Sequence, residues 1–103
     1  MNTEHVQNVL RTIDEWLEDN FPDVEPQKIT GSRMLNLDFI SDKAVVQHLK
    51  YMVIEMSIMN SFEPDDSLTR EKLMRWLGFL QGTLWARGYF SLDQFRKMNV
   101  VEK

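Results

Sequence analysis

Four carboxylates crowd one short stretch of the sequence: Asp14, Glu15, Glu18 and Asp19, with Asp23 and Glu25 following. Such a cluster can hold a divalent cation, serve as an acid–base pair, imitate a phosphate backbone or dock on a basic partner. A magnesium-dependent enzyme working through Glu15 and Glu18 is the weakest of these readings. The stretch lacks the Glu-x-x-His pair of helical carboxylate centres and the spacing of a calcium loop. Asp14/Glu18 and Glu15/Asp19 are like-charge pairs one helical turn apart, which weaken a helix slightly. A plain solvated face accounts for them. His5 and His48 stand alone, neither with a second ligand three or four positions on. No Gly-x-Ser-x-Gly, Walker loop or dinucleotide fingerprint occurs, and there is no cysteine. The residue types therefore predict no enzyme, no cofactor and no metal.

Charge is unevenly spread. Residues 1–66 carry 13 acidic and 5 basic side chains, a net of −8, whereas residues 67–103 carry 3 acidic and 7 basic, a net of +4. The two halves can complement each other within one fold, pair head to tail between copies, or present the basic end to nucleic acid. Arg70, Arg75, Arg87, Arg96 and Lys97 would make the nucleic-acid contacts. Their spacing scatters them around helices instead of aligning them, so that footprint is weak.

The elements that must position these groups are helices. With 103 residues, 43% hydrophobic and 27% charged, the chain fits one globular domain. No apolar run approaches the ~20 residues needed to span a bilayer. The first residues lack the basic and apolar regions of a signal peptide. A cytoplasmic protein with no membrane contact is expected, and a cysteine-free chain suits a reducing compartment.

Helix one is predicted over Thr3 to Phe21, with Thr3 as its N-cap. Its apolar stripe is Val6, Val9, Leu10, Ile13, Trp16, Leu17 and Phe21. Pro22 and Pro26 enforce a loop to Thr30. Met34 to Ile40 is too apolar for a free loop and reads as a short helix or an extended segment. Helix two runs from Ser41-Asp42 to about Asn60. One stripe on it is Val45, Leu49, Met52, Met56 and Met59, the methionines reading as core more than as an adaptable binding surface. A second apolar face is Tyr51, Ile54 and Ile58. Helix three starts at Asp66 or Ser67, and its core face is Leu73, Trp76, Leu77, Leu80 and Leu84. Gly88 sits where a left-handed C-terminal cap is needed. Helix four runs from Leu92 to about Asn99. Ser91 and Gln94 form a capping box, and Phe90 and Phe95 a hydrophobic staple. The fold class is all-α, a compact bundle of about four helices with helices two and three central.

Helix three carries a second stripe, Gly78, Gly82 and Ala86, flanked by Met74, Phe79 and Trp85. An interior glycine costs roughly 1 kcal/mol against alanine, so two need a packing reason. One reason is a tight crossing with helix two in the same chain. The other is a groove for a partner or for self-association. Two helices with two apolar faces each are most simply buried in a homo-oligomer, most often a twofold dimer, although the Met34 to Ile40 segment could cover one of them instead.

The run from Leu73-Met74-Arg75-Trp76-Leu77-Gly78-Phe79 through Gly82-Thr83-Leu84-Trp85-Ala86 to Ser91-Leu92-Asp93-Gln94-Phe95-Arg96 resembles a segment of small, uncharacterised proteins of tailed bacteriophages. The likeness covers about a quarter of the chain, Leu73 to Arg96. It implies an accessory protein in infected bacterial cytoplasm, for instance an inhibitor of a host or defence protein, and it brings no catalytic residues. The leading expectation is thus a non-enzymatic interaction protein with a protein partner. The rival is a small nucleic-acid-binding regulator using the basic C-terminal third.

Overall fold

The computed structural model describes residues 2–29, 42–62 and 66–99. The Met34 to Ile40 segment lies outside them. Four helices follow in order: α1 (Thr3–Asn20), α2 (Asp42–Phe62), α3 (Ser67–Ala86) and α4 (Leu92–Asn99). The chain forms the expected all-α bundle with helices two and three central. α2 packs on α1 along one flank and on α3 along another.

The helix ends are set by local chemistry. At the start of α1 the cap is Asn2, one residue before the expected Thr3. Its side-chain oxygen accepts the His5 N–H at 2.7 Å. Both residues are good caps, and the one whose backbone stays extended takes the role, with Asn2 at ψ 171°. α1 stops at Asn20, and the Phe21 N–H closes the last turn on the Leu17 carbonyl. α2 runs two residues beyond Asn60, to Phe62. Asp66 caps α3 by accepting from the Thr69 N–H and hydroxyl, and these bonds hold its carboxyl below the usual range. Gly88 has φ +75°, the left-handed value that lets the chain turn out of α3. Ser91 and Gln94 cap each other, at 2.7 and 3.1 Å, and the Phe90 and Phe95 rings stack at 5.4 Å.

The core is built from Val6, Val9, Leu10, Ile13 and Leu17 of α1 and from Leu73, Leu77, Leu80 and Leu84 of α3, with Phe90 and Phe95 closing one end. From α2 it takes Val45, Leu49, Met52 and Met56, as the stripe predicts, and also Val46 and Val53. Met59, Trp16, Phe21 and Trp76 pack half-buried against it. Gln81 and Asn99 exchange side-chain amide bonds at 2.8 and 2.9 Å, tying α4 to α3. Asn60, 1% exposed, donates to the Thr3 carbonyl at 2.9 Å and accepts from Arg70 at 2.7 Å, joining α1, α2 and α3.

Candidate functional site

Two open surfaces share α3. The first is a cleft of about 540 Å³ between α2 and α3. Tyr51 and His48 stand on its α2 side. Lys72, Arg75, Trp76 and Phe79 occupy one flank of α3, at the i, i+3, i+4, i+7 spacing that puts side chains in a row. Lys28 reaches it from the loop after α1. Phe79, 56% exposed, turns an edge to the His48 ring at 6.4 Å, and His48 lies 5.8 Å from Tyr51. The Lys72 ammonium stands 5.1 Å over the Trp76 ring.

The loop that delivers Lys28 is strapped to α2. Gln27 donates its backbone N–H to the Gln47 carbonyl at 3.0 Å. The Ile29 N–H donates to His48 Nδ1 at 3.1 Å. An imidazole accepting at Nδ1 is neutral with its proton on Nε2. Burial, and then the nearby Lys28 charge, lower the His48 pKa below 6.5. Deeper in, the Lys50 ammonium donates to the carbonyls of Phe21 and Val24.

The second surface is the outer face of α3. Gly78, Gly82 and Ala86 are exposed there. Among the described residues, a Cβ added at Gly78 or Gly82 would meet nothing within 4 Å. The tight crossing with helix two is therefore not made: α3 meets α2 through its leucine face, which lies across the helix from the glycines. Met74 and Trp85 are exposed beside the stripe, Trp85 by 53%. The other apolar face, on α2, divides. Tyr51 is half-buried at the cleft, while Ile54 and Ile58 are exposed.

The acidic residues are not a single unit. Glu18 forms an ion pair with buried Lys50 at 3.2 Å. Asp14 is half-buried, and burial, then the Glu18 charge beside it, raise its carboxyl above the usual range. Glu15 and Asp19 border a cleft of about 570 Å³ between α1 and α4, with Trp16, Phe90 and Lys97. Among the described residues no group of three or more His, Asp or Glu side chains is arranged to hold a metal ion. The basic residues are also dispersed. Arg70 bonds to Asn60, Arg87 pairs with Asp42 at 2.8 Å, and Arg96 faces Asp93 at 3.6 Å. Of the five expected nucleic-acid contacts, Arg75 alone reaches the α2–α3 cleft and Lys97 alone the α1–α4 cleft.

Sequence reasoning missed Lys28, His48, Lys72 and Trp76 as neighbours, and Lys50 as a buried cation. Lys50 left a signal, a lysine four residues after Val46 and three before Val53 on one apolar arc. The strap from Ile29 to His48 spans nineteen positions and left none. Comparison of the chain with protein-family models, curated proteins and solved structures found no match.

Proposed function

We propose that this chain is a non-enzymatic binding module that offers the outer face of α3 to another protein. One observation carries the reading: Gly78 and Gly82 stand open, with the exposed rings of Phe79 and Trp85 on either side. Each glycine costs about 1 kcal/mol of helix stability, and no packing among the described residues offsets that cost. A helix without side-chain bulk lets another backbone approach closely. Exposed tryptophan is the residue type that most often anchors a protein interface.

A second copy of the chain is the first occupant to test, because one face meeting its own mate closes a twofold dimer. The likeness of Leu73 to Arg96 to bacteriophage proteins supplies a setting: an accessory protein in bacterial cytoplasm that inhibits a host or defence protein. Gly82→Leu is the discriminating variant. It fills the open face without touching the core. Sedimentation should give a dimer for the wild type and a monomer for the variant. If the wild type is monomeric, affinity capture from infected cells should recover a protein that the folded variant loses. A monomer that captures the same proteins with and without the substitution would overturn the proposal.

A further inference from the structure

The α2–α3 cleft carries chemistry that protein docking does not require. Lys28, Lys72 and Arg75 converge on it from a loop and a helix. None of the three makes an ion pair among the described residues, whereas Lys50, Arg87 and Arg96 all do. No carboxylate lines the cleft among those residues. In a chain of net charge −4 this is a positive concavity with no compensating carboxylate among the described residues that line it, the arrangement that attracts and concentrates anions. Burial first, and then the Lys28 charge, hold His48 below its usual pKa, so it stands neutral beside these cations.

The remaining walls are flat. Tyr51, His48, Trp76 and Phe79 give four rings around a volume of about 540 Å³, within the range that holds a small organic ligand. Lys72 already stands over the Trp76 ring, so a base has Phe79, Tyr51 and His48 to stack on; aromatic rings beside lysine and arginine are the combination that takes a nucleobase by stacking and its phosphate by charge. An acidic peptide would use the cations and leave the rings unoccupied. An inorganic anion would do the same. Neutral His48 keeps its Nε2–H as a donor, because Nδ1 is already engaged by Ile29.

We infer that the cleft between α2 and α3 binds a nucleoside phosphate, with the base against the aromatic walls and the phosphate among Lys28, Lys72 and Arg75. The cleft shares Phe79 with the flank of the glycine face of α3, but Lys28, His48, Tyr51, Lys72 and Trp76 belong to the cleft and Gly82 and Trp85 to the other face, so either reading can fail without the other. The test is nuclear magnetic resonance titration of the full chain with adenosine monophosphate, adenosine, inorganic phosphate and a short single-stranded oligonucleotide. The monophosphate should give saturable shifts at the Trp76 indole and at the amides of His48, Tyr51 and Phe79, leaving Trp85 unmoved. Adenosine and phosphate alone should each bind at least about tenfold more weakly, since each keeps only half of the contacts. Lys72→Glu with Arg75→Glu should weaken the monophosphate by about tenfold or more, while Arg96→Glu with Lys97→Glu, which changes net charge equally, should not. Tighter binding of the oligonucleotide than of the monophosphate would identify a strand as the source of the nucleotide, and equal binding a free nucleotide. Absence of saturable shifts, equal weakening by both double variants, or cleft shifts that follow protein concentration without ligand would overturn the inference.

Discussion

Lys50 donates its ammonium to the carbonyl oxygen of Phe21 at 2.6 Å. Phe21 caps α1, so the contact fixes the C-terminal end of one helix to the middle of the next. A cation there also meets the negative end of the α1 dipole. The same nitrogen donates to the Val24 carbonyl at 2.8 Å and lies 3.2 Å from Glu18, which is 53% exposed. Lys50→Met keeps the bulk and removes the charge, taking the ammonium from the Val24 carbonyl and leaving the Phe21 carbonyl with the Val24 N–H at 3.2 Å. It should cost about 2–4 kcal/mol in urea unfolding. Glu18→Gln removes only the exposed partner and should cost under about 1 kcal/mol. Equal losses would show that the carboxylate, not the pair of carbonyls, holds Lys50 in place.

What was legible in the sequence was local. The Ser91/Gln94 box, the Phe90/Phe95 staple and the Gly88 turn involve residues within a few positions of one another, and each forms as its residue types require. Apolar periodicity placed the four helices for the same reason. It did not assign neighbours to faces. α2 is covered by α1 and α3 on different flanks, so its buried arc takes in Val46, Lys50 and Val53 as well as the predicted stripe. Small residues on α3 favour a close crossing with α2 over an open face, and the structure reverses that preference. Only the placement of the leucine face decided that the glycines point away from α2. The cleft was the least legible feature, because Lys28, His48 and Lys72 come together only when a loop folds onto α2 and α2 onto α3.

The turn into α4 makes a paired prediction. Ser91→Ala removes the acceptor of the Gln94 N–H and should lower stability by about 1 kcal/mol. Gly88→Ala meets no steric obstacle from neighbouring atoms, yet φ +75° disfavours any residue with a Cβ. It should cost about 1 kcal/mol through the backbone alone. Thermal unfolding of each variant measures both. A neutral Gly88→Ala would mean that the turn relaxes out of the left-handed region.

His48 links stability to pH. Its pKa is below 6.5 in the folded chain, with burial the larger cause and the Lys28 charge the smaller. The unfolded chain therefore takes up the His48 proton first on acidification. This part of the stability is fully present above about pH 6.5, the ordinary histidine value. It is lost as pH falls through the lower folded value, where protonation of Nδ1 also ends the Ile29 bond. Resonances of Ile29 and His48 should titrate together, with a midpoint below that of His48 in the urea-unfolded chain. A folded midpoint at or above the unfolded one would contradict the burial and the hydrogen bond alike.

The α3 glycines make the opposite prediction to the usual one for a helix packed through small residues. At a tight crossing an added methyl group meets the neighbouring helix and destabilises the fold. Here an added Cβ at Gly78 or Gly82 meets no atom of the described residues within 4 Å, and both positions lie inside α3. The remaining effect is the lower entropy of an unfolded chain that has lost a glycine. Gly78→Ala and Gly82→Ala should therefore each stabilise the isolated chain by about 0.4–1 kcal/mol. The gain should appear at low protein concentration, where no second copy covers the face. If the glycines serve a partner, the more stable variants should bind it less well, and stability and assembly will move in opposite directions. Destabilisation at low concentration would mean that the face is already occupied within the chain.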